Sequence, residues 1–205
     1  MATKLNYNYN RKGRITSPVG TFFYPFVFKP ATYQGNITNF EIKVVFDDNQ
    51  EFLNELENLC NEEFEAFLEA NPTLKKPNRG VLNIPITEGN SGALEGKTFV
   101  KFKNSFSYTY KGQTIERKIP VFDGAKGKVS SNVIIGNGSK GKIAFSLRPY
   151  FVSSANFGVQ LILDAVQVLE LVEYTGGTNN DFGFEEEENA FVAPTVEDTA
   201  DDSDF

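Results

Sequence analysis

KTFVKFKNSFSYTYKGQTIERKIPVF, residues 97–122, alternates between two chemistries. Taken with a period of two, Lys97, Phe99, Lys101, Lys103, Ser105 and Ser107 share one face, and Val100, Phe102, Phe106, Tyr108 and Tyr110 share the other. The second face has the composition of a core, while the first mixes cations with an aromatic ring. Lys111-Gly112 interrupts the run with hairpin turn chemistry, so the segment reads as two strands folded back on each other. The flanking sequence continues the β pattern. GTFFYPFVF (residues 20–28) is aromatic-rich and broken by Pro25, which suits an edge strand or a bulged one. FEIKVVF (residues 40–46) puts Phe40, Ile42, Val44 and Phe46 on one face. NVII (residues 132–135) leads through a Gly-rich turn to KIAFSLRPYF (residues 142–151), and FGVQLILDAVQVLELVEY (residues 157–174) makes a long last strand region. In that region Val159, Leu161, Leu163, Ala165 and Val166 leave the phase of alternation open, and a bulge would reconcile it.

One segment departs from this pattern. In DDNQEFLNELENLCNEEFEAFLEANP (residues 47–72), Phe52, Leu56, Leu59, Cys60, Phe64, Phe67 and Leu68 recur at helical spacing. Asp47, Asp48 or Asn49 can cap the start, and Asn71-Pro72 ends the run. About five strands with one helix between them predict a mainly β fold, an OB-type small barrel with a helix inserted at about residues 48–70. The domain is expected to span residues 1–174, with 1–17 a flexible basic arm. Residues 175–205 have the composition of a disordered acidic tail.

The net charge of −7 hides a strong segregation. Residues 175–205 hold ten acids and no bases, which leaves residues 1–174 at +3. Residues 47–71 hold nine acids and no bases, whereas residues 97–148 hold eleven Lys or Arg against two acids. This sorting points to an anion-binding body with an acidic arm. Catalytic chemistry is poorly supplied. The absence of His removes the commonest general base, the His-activated nucleophiles and His metal sites. Cys60 falls on the apolar stripe of the helix, a core position, and the helix glutamates fall mostly on its polar face. No enzyme activity, catalytic residue, metal or cofactor is therefore expected. GNGSKG (residues 136–141) fits a dinucleotide fingerprint, and SGALEGKT (residues 91–98) is one residue from a phosphate-binding loop. Both lead into strand-like sequence where a helix is required, so the first reads as a hairpin turn and the second as a chance near-miss. A lone cysteine, no signal-like N-terminal run and no stretch of about 20 apolar residues predict a cytoplasmic protein without a membrane partner.

The basic stretch carries the site candidates. Lys97, Lys101 and Lys103 around Phe99 form the kit of a single-strand binder, cations for phosphates and a ring on which an unstacked base can lie. Arg117, Lys118, Lys126, Lys128, Lys140, Lys142 and Arg148 extend the basic character. Tyr108, Tyr110 and Tyr150 are further candidates for base stacking, although their composition suits a core equally well. The competing reading is a solvated sheet face with lysines protecting an edge. The protein would then be a structural or interaction component that binds no nucleic acid.

Three segments resemble the single-stranded DNA-binding proteins of tailed phages. They are SPVGTFFYPFVFKPATYQGNITNFEIKVVF (residues 17–46), FGVQLILDAVQVLE (residues 157–170), and GFEEEE leading to the acidic end. The resemblance implies an OB-fold and sequence-tolerant binding of single-stranded DNA during phage replication, recombination and repair. It also implies that the acidic tail with its terminal aromatic, here Asp201, Asp202, Asp204 and Phe205, docks on phage or host replication proteins such as a polymerase or helicase-primase. The chain departs from that pattern in its acidic helical insert and in lacking Trp, so stacking falls to Phe and Tyr. A homodimer and RNA binding stay open.

Overall fold

The computed structural model describes residues 13–47, 49–74 and 81–173. Its elements in chain order are β1 (Ile15–Thr16), β2 (Gly20–Phe26), β3 (Thr32–Tyr33), β4 (Asn36–Ile37), β5 (Asn39–Val45), α1 (Gln50–Ala70) and β6 (Ile86–Glu88). They continue with β7 (Thr98–Ser105), β8 (Ser107–Tyr110), β9 (Gln113–Glu116), β10 (Val121–Phe122), β11 (Lys140–Ser153) and β12 (Asn156–Glu170). Five of these strands close a ring. β2 pairs with β5, β5 with β7, β12 with β11, and β11 with β2, all antiparallel, while β7 and β12 meet in parallel at Lys103 and Ile162. In chain order the ring runs first, second, third, fifth, fourth. That is the five-stranded barrel of an OB-fold, and the fold expected from the sequence is the fold observed.

Closure works because the alternating apolar residues all point inward. Phe22, Ile42, Val44, Val100, Phe102, Ile143, Phe145, Leu161 and Leu163 are fully buried in one cluster. Each such side chain contributes roughly 1.5–3 kcal/mol relative to leaving it in water. The rings of Phe102 and Phe145 meet at 5.0 Å across the interior. Strand crowding where β2 meets β11 demands a missing side chain. A Cβ on Gly141 would lie 1.9 Å from the Gln167 carbonyl oxygen and 2.7 Å from the Phe22 ring.

The bulge in β12 is real. Phe145 pairs with Leu163 and Ala144 with Ala165, so Asp164 is the extra residue. Val159, Leu161 and Leu163 face inward before it, and Val166 and Val168 after it. β2 is also bulged, between Phe23 and Phe26, but it is no edge strand, since β5 and β11 flank it. Pro25 is tolerated because the ladder is already broken there.

Asn49 caps α1 by accepting the Phe52 N–H at 3.1 Å, and Asn71 closes its end. Phe52, Leu53, Leu56, Cys60 and Phe64 are buried. The Phe64 ring stacks on Phe157 at 5.4 Å, which fixes the helix against the β11–β12 hairpin. The expected hairpin at Lys111-Gly112 forms between β8 and β9, with Tyr110 opposite Gln113 and both turn residues at positive φ. It is a separate two-stranded ribbon, because β7 ends at Ser105 in the barrel wall.

Two expectations are corrected here. Ile15 and Thr16, expected in the flexible arm, pair with Phe145 and Ala144, Ile15 is buried, and Ser17 exchanges hydrogen bonds with the Ile143 backbone. The NVII segment is not a strand. Ile135 makes a single bridge to Glu173 and buries its side chain instead. Residues 1–12 of the expected arm and the acidic tail lie outside the described residues.

Candidate nucleic-acid interface

The outer wall of β2, β5 and β7 carries a layered pattern set by register. One cross-strand row is Thr21, Val45, Phe99 and Thr87; the next is Phe23, Lys43 and Lys101; the third is Phe26, Glu41, Lys103 and Ile162. Phe23, Val45, Leu94 and Phe99 form a small apolar cluster of their own outside the barrel. Phe99 is thereby mostly buried, with Lys43 Nζ 5.2 Å from its ring centroid and 5.0 Å from that of Tyr24. Both distances suit cation–π attraction. Lys101 Nζ pairs with Glu41 at 2.7 Å.

Two hollows meet on this wall and share Lys43, Thr87 and Phe99. The first, of about 370 Å³, is lined by Lys43, Lys101, Lys103, Tyr150 and Gln160 among others. The second, of about 380 Å³, lies among Tyr24, Phe26, Glu41 and the loop from Glu88 to Ser91. Together they make one groove with cations and rings along it. Tyr150 is held in place by Asn83, whose Nδ2 donates to the phenol oxygen at 2.8 Å. Asn83 is itself fixed by backbone bonds with Phe157 and Val159.

The sequence candidates are spread over several places. Phe99, Lys101, Lys103 and Tyr150 come together in the groove. Arg148 is exposed on β11 opposite Gln160, beside the same groove. Tyr108, Arg117 and Lys118 line a second depression, where the Arg117 guanidinium lies 4.4 Å from the Tyr108 ring centroid. Tyr110 extends outward on the ribbon with Lys111 above it at 5.3 Å. Both tyrosines are well exposed, so the core-like face predicted for them is corrected: the alternation breaks at Ser105 and Phe106, where β7 gives way to the ribbon. Lys126 and Lys142 sit apart, beside a mainly apolar hollow that Phe122 and Val166 help to line. Lys97 lies 5.9 Å from the Phe23 ring, and Lys128 is in the loop after β10. Asp201, Asp202, Asp204 and Phe205 lie outside the described residues. Sequence reasoning missed Lys43, Tyr24, Phe26 and Asn83. The signal for Lys43 was present, since FEIKVVF puts it on the face opposite Ile42 and Val44.

The profile of the family described as "Single-stranded DNA-binding protein, Bacteriophage T7" matches residues 27–171. The chain belongs to this family. It is 41% identical over 104 residues to the single-stranded DNA-binding protein of Escherichia phage T7, covering 48% of this chain and 44% of that protein. It is 32% identical over 115 residues to the single-stranded DNA-binding protein of Enterobacteria phage T3, covering 54% and 49% respectively. The chain thus aligns with about half the length of these relatives. Among solved structures, the T7 gp2.5 single-stranded DNA-binding protein superposes with a TM-score of 0.59 at 28% identity, over 88% of this chain and 98% of that one. The single-stranded DNA-binding protein of bacteriophage Enc34, solved in complex with single-stranded DNA, shares the fold at a TM-score of 0.55 and 15% identity, over 85% and 97%.

Proposed function

We propose that the protein is a non-enzymatic, sequence-independent binder of single-stranded DNA that protects the strand during phage replication, recombination and repair. The observation that carries this reading is the groove in which Lys43, Lys101 and Lys103 converge beside the rings of Tyr24 and Tyr150, with the buried Phe99 forming part of its floor. Lysines follow phosphates, and rings receive bases of any identity, so affinity comes without sequence readout. The family membership supports the same reading. The division of labour proposed is a binding domain of residues 1–174 and a tail of residues 175–205 that recruits replication proteins through Asp201, Asp202, Asp204 and Phe205. The work would be done in the cytoplasm of the host cell.

A gel shift with single-stranded and duplex DNA of equal length tests the reading. The single strand is expected to shift at much lower protein concentration, and no shift of either would overturn the proposal. Replacing Lys43, Lys101 and Lys103 together by Ala should flatten the salt dependence, lowering the magnitude of the log–log slope by about 2, at roughly 0.7 per lost phosphate contact.

A further inference from the structure

We propose that Tyr24 is a nucleobase-stacking platform in the groove and that Asn137 is the residue that positions it. The inference deepens the single-strand reading and rests on it. Tyr24 has φ of 49°, a left-handed conformation that a bulky residue adopts only when its surroundings impose it. The cause is visible. The β2–β5 ladder breaks between Phe23 and Phe26, and the freed Tyr24 N–H donates to Asn137 Oδ1 at 2.7 Å. Asn137 belongs to the GNGSKG turn, whose Gly138 N–H in turn donates to the Phe22 carbonyl at 2.9 Å. A motif that resembles a nucleotide fingerprint thus acts as a latch across to β2.

The latch determines where the ring goes. In a regular strand Tyr24 would follow Phe23 onto the opposite face of the sheet, into the barrel. With its backbone turned, it lines the same groove as Phe26, Lys43 and Phe99. Its phenol oxygen lies beside Gly92, where an added Cβ would meet it at 3.3 Å, so the absence of a side chain there leaves room for the ring. Lys43 covers the ring in the free protein. When a strand enters, Lys43 exchanges the ring for a phosphate, and the ring is released to a base. The cation–π contact given up is replaced by a Lys43–phosphate contact and by a base stacked on the ring.

The test compares oligo-dT with an abasic oligomer of equal length, because a platform for bases has nothing to hold in the second. Tyr24→Ala should weaken oligo-dT binding by about tenfold, toward the lower end of what one stacked base contributes. Asn137→Ala should weaken it by about three- to tenfold, and the double variant no further than Tyr24→Ala alone. Binding of the abasic oligomer should be unchanged in all three. Asn137→Asp keeps the acceptor oxygen and should recover most of the loss at salt high enough to screen its charge. Asn137→Leu, of similar size without the acceptor, is the second variant if Asn137→Ala proves unstable. Equal binding of oligo-dT by wild type and Tyr24→Ala would overturn the platform, and by wild type and both Asn137 variants, the latch. Equal losses on both oligomers would mark the residues as merely structural. A wild-type chain that binds neither oligomer would sink the single-strand reading itself, and the platform with it.

Discussion

Glu41 is an acid in a wall of lysines, and its place follows from strand register: Lys43 is two residues on, and Lys103 is its direct neighbour on β7. Its carboxylate holds Lys101 at 2.7 Å and is less exposed than its partner, 16% against 35%. A phosphate arriving at Lys101 must therefore displace a carboxylate already there. Partly exposed ion pairs of this kind contribute about 0.2–1 kcal/mol, so the competition is mild and adjustable. Glu41→Gln should raise affinity for oligo-dT at low salt by up to about fivefold, and the gain should fade as salt rises. Fluorescence titration at two salt concentrations measures it; weaker binding by the variant would show that the pair holds Lys101 in place for DNA. The contrast between Lys101 and Lys43 also marks how far a sequence can be read. The alternation in each strand assigns every one of these residues to a face. That Lys43 and Lys101 are neighbours depends on pairing between strands separated by a whole helix, and local pattern carries no term for that.

At the level of elements, α1 was legible because its stripe, its cap and its stop all agree, and burial follows the stripe. Cys60 shows the consequence. Desolvation by burial, then the nearby charges of Glu57 and Glu63, push its thiol from 9.0 up to about 12. Burial and negative neighbours both disfavour the thiolate. The unfolded thiol ionises at its ordinary value and the folded one does not. The stability that the Cys60 thiol contributes is therefore intact below pH 9 and is lost as pH rises toward 12, by at most about 1.4 kcal/mol per pH unit. At pH 8 the thiol should resist a disulfide reagent in the native protein and react fully in guanidinium; fast native reaction would show that the helix opens. The β8–β9 ribbon was harder to read. Its turn at Lys111-Gly112 was plain, but the alternation of β7 runs on into β8 without a visible break. Phe106 packs back against the core and rings with Phe40 at 6.1 Å, which releases Tyr108 and Tyr110 to solvent. Tertiary packing, not local pattern, ends the strand there.

For the whole molecule the governing quantity is the distribution of charge. Residues 1–174 carry +3 and residues 175–205 carry −10, so the body proposed to bind a polyanion is covalently joined to another polyanion. On the proposed binding role, acids tethered at high local concentration would compete with DNA for the same lysines. Removing residues 196–205 takes away five acids and the terminal Phe205. The shortened chain should bind oligo-dT more tightly at low salt and equal the full chain near 1 M, where the Debye length falls to about 3 Å. It should also fail to retain the replicative polymerase or helicase in a pull-down, because the proposed docking group is gone. The two readouts separate the roles. Tighter DNA binding with partner retention intact would leave the tail as an electrostatic competitor and move recruitment to the body. Weaker DNA binding at low salt would mean that the acids support the groove, and the competition argument would fall.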